Sequence, residues 1–257
     1  MNKLQKKRAL VTAGAQGIGL AISEHLVRAG CDVFVHFHRS ADEAERLVAD
    51  ARAMGVRAGA APADLTTPSG CEKIVNDAVA FLGGLDILIN NAGSLIARRS
   101  LADATEEYWN DVMELNLGSL RRVTKSAVSH LASAAKTNPG ASIVNLSSLA
   151  GRKGGHAGSL AYSTSKGAVI TLTRALAGEL ASQGIRVNAL APGLILGTSF
   201  HATHTSSDSA QATIAGIPLA RAGTPDDVAR AALFLAGEYD GFITGATLDI
   251  NGGVYVA

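Results

Sequence analysis

The chain has 257 residues, 47% hydrophobic and 18% charged, enough to bury a sizeable core and unlike a disordered segment. A net charge of +1 with no long basic block speaks against nucleic-acid or anionic-membrane partners. Cys31 and Cys71 lack metal-ligand spacing and read as thiols of a reducing compartment. The apolar stretch after the basic start breaks at Thr12-Ala13-Gly14, too soon for a signal core or a membrane span, so a cytoplasmic protein is expected.

Short apolar runs alternate with helical patterns along the whole chain. Strands are expected at Ala9–Thr12, Val33–Phe37, Val56–Ala61, Leu85–Asn90, Ser142–Ser147, Arg186–Ala191 and Ala246–Ile250. Between them fall helices at Ile18–Ala29, Ala41–Ala53, Pro68–Phe81, Thr105–Ala135 and Ala161–Ser182. A last helix opens at Thr224-Pro225-Asp226-Asp227, with Thr as the cap and Pro in the first turn. Near-continuously apolar strands alternating with helices predict one α/β domain over residues 1–257. It is a doubly wound Rossmann-type fold with a mostly parallel seven-stranded sheet covered by helices on both faces. Such sheets bind ligands beyond the carboxyl ends of their strands. Candidate motifs fall there: Gly14 to Gly19 after the first strand, Asn90–Gly93 after the fourth, Ser148 after the fifth and Pro192-Gly193 after the sixth.

Tyr162 and Lys166 stand four residues apart, on one face of their helix. A phenol with a pKa of about 10 is a poor proton donor at neutral pH, and a neighbouring ammonium would lower that value. A hydroxyl fourteen residues before Tyr162, that of Ser148, could hold a carbonyl oxygen. Ser147 is chemically equivalent, and the local sequence does not choose between them. The turn Thr12-Ala13-Gly14-Ala15-Gln16-Gly17-Ile18-Gly19 lies between a strand and a helix, where glycines let backbone approach a pyrophosphate and the helix amino-terminus favours anions.

Together, Thr12–Gly19, Asp64-Leu65, Asn90–Gly93, Asn116, Ser148, Tyr162/Lys166, Pro192-Gly193 and Ile243-Thr244-Gly245 with Asn251-Gly252-Gly253 resemble the short-chain dehydrogenase/reductase family over nearly the full length. The carboxyl-terminal third is similar to its 3-oxoacyl-carrier-protein reductases. One departure is Ala13, where the family usually has Gly. The resemblance implies that Tyr162 is the proton donor in reduction and the acceptor in oxidation. It further implies that Lys166 lowers the tyrosine pKa and binds the nicotinamide ribose, and that Ser148 polarises the substrate carbonyl. Asn116 would kink its helix and hold a water beside Lys166. Thr12, Gly14, Gln16, Gly17, Ile18 and Gly19 would cradle the dinucleotide. Asp64, with Leu65 beside it, would meet the adenine, Asn91-Ala92-Gly93 the adenosine ribose, and Pro192, Gly193 and Ile195 the nicotinamide. Read without the resemblance, Asp64 is a helix cap before Thr66-Thr67-Pro68.

The end of the second strand selects the dinucleotide. His36-Phe37-His38-Arg39-Ser40 has no acid to bind a ribose 2′-hydroxyl, whereas Arg39, His38 and Ser40 can meet a 2′-phosphate. NADP(H) is therefore favoured, with NAD(H) as second choice. No metal is expected. His25 and His130 fit structural helix faces, while His156, His201 and His204 are candidates for lining a substrate pocket.

Residues 197–217 lie where the family builds a variable substrate lid. Here the segment is rich in hydroxyls with one aromatic, which points to a small polar carbonyl such as a sugar, sugar acid or keto acid. Arg98-Arg99, Arg152-Lys153 and His156 flank the expected mouth and could meet an anion. Two other functions stay open. One is a 3-oxoacyl-carrier-protein reductase, although Lys136 to Gly140 and Gln183 offer little positive charge for an acidic carrier. The other is a dinucleotide-sensing regulator without catalysis. Small residues on more than one face of the helices at 105–135 and 161–182, with the apolar ending Val254-Tyr255-Val256, predict a homotetramer.

Overall fold

The computed structural model describes residues 4–137, 140–198, 203, 207–238 and 241–256. Seven strands are present among them: β1 (Arg8–Val11), β2 (Asp32–Phe37), β3 (Ala58–Pro62), β4 (Ile87–Asn90), β5 (Ala141–Leu146), β6 (Ile185–Pro192) and β7 (Thr247–Ile250). They form one sheet in the order β3-β2-β1-β4-β5-β6-β7, and every pairing is parallel. Ala9 pairs with Val33 on one side and Ile87 on the other, so β1 is central and its neighbours wind outward in opposite directions. That reversal opens a crevice between the loops after β1 and β4.

The pleat sends alternate residues to opposite faces. Ala9 and Val11 pack with α1 (Gly17–Arg28), α2 (Ala41–Ala53) and α9 (Pro225–Leu233). Leu10 packs with α3 (Pro68–Leu82), α5 (Ser119–Thr137) and α7 (Leu160–Leu180) on the other face. Burial on both sides explains why β4 and β5 are apolar nearly throughout and wholly buried.

Local chemistry sets the helix ends. Thr67 caps α3 by accepting from the Gly70 amide at 3.1 Å, with Pro68 in the first turn. The cap there is Thr67, and Asp64 instead closes the turn ahead of it. Thr224 and Asp227 form a reciprocal capping box at α9, as the sequence signature predicts. The long helix expected over Thr105–Ala135 is instead α4 (Glu106–Met113), a π-helical turn at Glu114–Gly118 and α5. Asn116 sits within that turn. The short α6 (Leu149–Lys153) and α8 (Ser207–Ala215) lie outside the elements expected from the sequence.

Candidate active site

A cavity of about 760 Å³ opens at the carboxyl edge of the sheet. Its floor is laid by Ala13, Gln16, Gly17 and Ile18 after β1, Asn91 and Gly93 after β4, Ser148 after β5, and Pro192, Gly193 and Ile195 after β6. Tyr162 and Lys166 of α7 also line it, and Ile217 and the α8 residues Ser209, Ala212 and Thr213 close it from above.

The dinucleotide end suits an anion. Gln16 precedes α1 without a side-chain cap, and the helix's first turn carries no acid, so its amides are not spent on a local carboxylate. Thr12 and Gly14 stand behind this wall. Thr12 Oγ1 accepts from the amides of Asn91 at 2.9 Å and Ala92 at 3.0 Å, tying the β1 loop to the β4 loop. Asn91 Nδ2 returns two bonds, to the carbonyls of Thr12 and Ala13, each 3.1 Å. Gly14 and Gly19 allow close packing of α1 on β1: a Cβ on Gly14 would lie 2.9 Å from Ser23 Oγ, and one on Gly19 would collide with the Ala13 carbonyl.

Ala13 itself takes φ +47°, in the left-handed region that its family counterpart Gly occupies at little cost. Its amide donates to Nδ1 of buried His36, and His36 Nε2 meets the Ala63 carbonyl. Sequence reasoning missed His36. The available signal was a polar ring within the apolar run Val33–Phe37 of β2.

His38 and Arg39 are exposed past the end of β2, and Ser40 Oγ bonds Gln16 Oε1 at 3.3 Å. No carboxylate occupies this strand end. Asp64 is exposed after β3, its Oδ1 accepting from the Thr66 amide at 2.9 Å and hydroxyl at 2.6 Å, which holds its pKa below the usual value. Leu65 is buried in the core beneath α3, and Ala92 lies beside it, under the cavity floor.

The structure separates the two serines. Ser147 Oγ donates to the Lys166 carbonyl at 2.7 Å and is buried, fastening β5 to α7. Ser148 caps α6 by accepting from the Ala150 amide at 3.1 Å and lines the cavity together with Tyr162. Lys166 Nζ donates to the Leu146 carbonyl at 2.8 Å and lies 5.8 Å from the Tyr162 ring centre. A Cβ on Gly93 would stand 2.6 Å from Asn116 Oδ1 and 2.9 Å from Lys166 Nζ, so the two groups converge over the one residue without a side chain.

Asn116 is fully buried and fixed at both ends. Its Oδ1 accepts from the Ser94 amide at 3.1 Å, and its Nδ2 donates to the carbonyls of Ser94 and Val112, each at 2.8 Å. The π turn moves this side chain out of ordinary helical register toward Lys166.

Burial pushes Tyr162 up to about 12, opposed by the Ser148 hydrogen bond, and brings Lys166 down to about 8. The sequence leads one to expect Lys166 to lower Tyr162, but here burial sets the direction of the Tyr162 shift and the Lys166 ammonium donates to the Leu146 carbonyl.

His156 lines the cavity, whereas His201 and His204 lie outside the described residues. Thr198 also lines it, its Oγ1 bonded to the Ile195 carbonyl at 3.2 Å and its side chain against Gly17. His25 pairs with Asp226 at 2.6 Å, a link between α1 and α9. Among the described residues, no group of His, Cys, Asp and Glu could hold a metal, and no helix is long and apolar enough to cross a membrane.

Known proteins are similar to this chain in sequence and fold. A family model described as Enoyl-(Acyl carrier protein) reductase matches residues 12–255. The chain is 36% identical over 250 residues to the 3-oxoacyl-[acyl-carrier-protein] reductase FabG of Staphylococcus aureus strain Mu50, covering 97% of this chain and 98% of that protein. Its fold is similar, at a TM-score of 0.91 and 31% identity over 100% of both chains, to an NADH-dependent reductase responsible for alginate metabolism. A short chain dehydrogenase from Burkholderia cenocepacia J2315 in complex with NADP aligns at TM-score 0.89 and 34% identity, over 98% of this chain and 99% of that one. The protein belongs to the short-chain dehydrogenase/reductase family of NAD(P)-dependent oxidoreductases, in the branch similar to 3-oxoacyl-carrier-protein reductases.

Proposed function

We propose that the protein is an NADP(H)-preferring reductase of small polar carbonyls, with Tyr162 as its acid. The meeting of Ser148 and Tyr162 on the wall of one cavity carries this reading, because it offers two hydroxyls to a place where a carbonyl oxygen can sit. A bound nicotinamide dinucleotide supplies the hydride. Ser148 donates to the carbonyl oxygen and orients it. Tyr162, with a pKa held high by burial, is protonated at neutral pH and gives its proton from Oη to the oxygen of the forming alcohol. Lys166, near Asn116 over Gly93, steadies the phenolate that remains. Oxidation runs the same proton in reverse.

Gln16, Gly17 and Ile18 line the cavity where a dinucleotide would run, with Asn91 and Gly93 of the same lining assigned to its adenosine ribose and Asp64, after β3, to the adenine. Pro192, Gly193 and Ile195, which line the same cavity, are assigned to the nicotinamide. Arg39, His38 and Ser40 favour a 2′-phosphate. The similar NADH-dependent reductase responsible for alginate metabolism keeps NAD(H) as the second choice. That neighbour's role in alginate metabolism supports the sugar-acid class over a long acyl chain.

The second reading, reduction of 3-oxoacyl groups on a carrier protein, is favoured by the 36% identity to the Staphylococcus enzyme. Gln183 and Lys136 leave little charge where an acidic carrier would dock. A regulator that only senses a dinucleotide needs no proton donor, and the assembled Ser148, Tyr162, Lys166 and Asn116 argue against one. A cytoplasmic homotetramer completes the proposal. Turnover of carrier-linked acyl substrates and of free sugar acids, each with NADPH and NADH, tests it. Reduction of the carrier-linked substrate alone replaces the first reading with the second, and a Tyr162→Phe enzyme of near-normal activity removes the mechanism.

A further inference from the structure

Ser148 stands at the junction of β5 and α6, and each neighbour fixes a different part of it. The strand end fixes its backbone, since the Ser147 amide donates to the Leu190 carbonyl at 2.8 Å. The helix fixes its hydroxyl: Oγ accepts from the Ala150 amide at 3.1 Å, and the Ser148 carbonyl accepts from the Gly151 amide at 2.9 Å. The direction of that hydroxyl in the cavity therefore follows the position of α6.

A helix of five residues has too few hydrogen bonds to hold itself in place. α6 is gripped from two sides instead. On the inner side Gly151 lies against α7, where a Cβ would stand 2.6 Å from the Lys166 carbonyl carbon and 2.7 Å from the Gly167 nitrogen. On the outer side Arg152 reaches β7 and the chain that follows it. Its Nε and Nη2 donate to the two carboxylate oxygens of Asp249, each at 3.1 Å, and Nη2 also donates to the Thr247 carbonyl at 3.0 Å. The guanidinium carbon lies 5.5 Å from the centre of the Tyr255 ring.

The side chains of Arg152 and Asp249 are only 10% and 18% exposed, so salt screens this fork little. Tyr255 is held in turn by buried Asn251, whose Oδ1 accepts from the Gly253 amide at 3.0 Å and the Tyr255 amide at 3.3 Å. Asn251 Nδ2 donates to the Tyr255 carbonyl at 3.2 Å. Arg152 does not line the cavity, whereas Ser148 at the other end of its helix does.

We infer that Arg152 is a positioning residue for the reaction: by tying α6 to Asp249 and Tyr255 it holds the Ser148 hydroxyl where the substrate oxygen is received. This rests on the carbonyl-reductase reading and extends it to a residue outside the cavity.

Reduction of acetoacetate, ethyl acetoacetate and D-glucuronate, each with NADPH and NADH, tests it. Arg152→Gln should lower kcat roughly tenfold and leave the KM for the dinucleotide where it was. In a Ser148→Ala background the same substitution should change kcat less than about twofold, because no hydroxyl is left to position. Arg152→Lys keeps the charge without the fork, so it should restore part of the loss. It also gives the same pattern at smaller size should the Gln variant not fold. Arg8→Gln breaks another forked pair, with Asp86 at the opposite edge of the sheet, and should lower the urea midpoint without moving kcat. Hydrogen exchange at the Ala150 amide, a readout without turnover, should quicken roughly tenfold in Arg152→Gln. A kcat unmoved by Arg152→Gln, a loss that multiplies in full with Ser148→Ala, or unchanged exchange at Ala150 overturns the positioning role and leaves the reductase reading intact. No reduction of any of the three by either dinucleotide overturns both.

Discussion

The Ala13 amide donates to His36 Nδ1 at 2.9 Å, and on the opposite side of the ring Nε2 lies 3.0 Å from the Ala63 carbonyl. One imidazole therefore joins the loops after β1 and β3, and only its neutral form can accept from Ala13 while donating to Ala63. This bond holds Ala13 at a positive φ just where the dinucleotide turn begins.

Loss of that ring should be felt twice. His36→Phe leaves a backbone donor and acceptor unpaired, at a cost of about 1–3 kcal/mol. The KM for dinucleotide should rise more than kcat falls. Burial lowers the His36 pKa below its ordinary 6.5, so the unfolded chain takes up the proton first. The stability His36 contributes is complete above 6.5 and is lost as pH falls through the interval below it. Urea midpoints at about pH 7.5 and about pH 5.5 should separate more in the native protein than in His36→Phe. Equal separations would show that the ring carries no such linkage.

Tyr162→Phe should lower kcat by about 10²–10⁴ with little change in dinucleotide affinity, because it removes a proton and almost no surface. Ser148→Ala should cost about 10²–10³. Lys166→Ala should damage both turnover and dinucleotide binding. Stopped-flow single turnovers with dinucleotide titrations separate these effects.

Reduction should decline as pH rises past about 8, where Lys166 loses its proton, while the Tyr162 phenol, pushed up to about 12, stays protonated. The inflection should vanish in Lys166→Ala. A kcat/KM profile flat to high pH in the native enzyme would contradict the role given to that ammonium.

Arg39→Ala should raise the KM for NADPH roughly tenfold and change that for NADH little. Equal losses for both dinucleotides would assign Arg39 to something other than the 2′-phosphate.

Assembly is expected to be tetrameric by light scattering. β7 is the outer strand of the sheet, and Phe242, Leu248 and Val256 near it are exposed apolar side chains. Phe242→Asp with Leu248→Asp should reduce the mass to that of a dimer. An unchanged tetramer would move the second contact away from this edge.

Much of the scaffold was legible because its elements carry strong local signals. α2 spans the expected Ala41–Ala53, and the Thr224 cap and Pro225 mark α9 where they should. Asn116 was recognisable as a kink, but a π turn adds one residue to a periodic pattern that averages over it. α6 has only five residues, too few for periodicity, and α8 is rich in hydroxyls. The choice between Ser147 and Ser148 depends on which way each side chain leaves the end of β5, a fact of three dimensions. His36 stayed hidden because its partners, Ala13 and Ala63, are backbone groups that no pattern of side chains announces.

The bond from Ser147 Oγ to the Lys166 carbonyl has an evolutionary reach. It joins the end of a central strand to the helix bearing Tyr162 and Lys166, so the proton-transfer geometry is set by parts common to the whole scaffold. Helix α8, which follows β6 in the chain, takes no part in that joint. Selection, or an engineer exchanging lids between relatives, can therefore change what enters the cavity while the reacting hydroxyls keep their places.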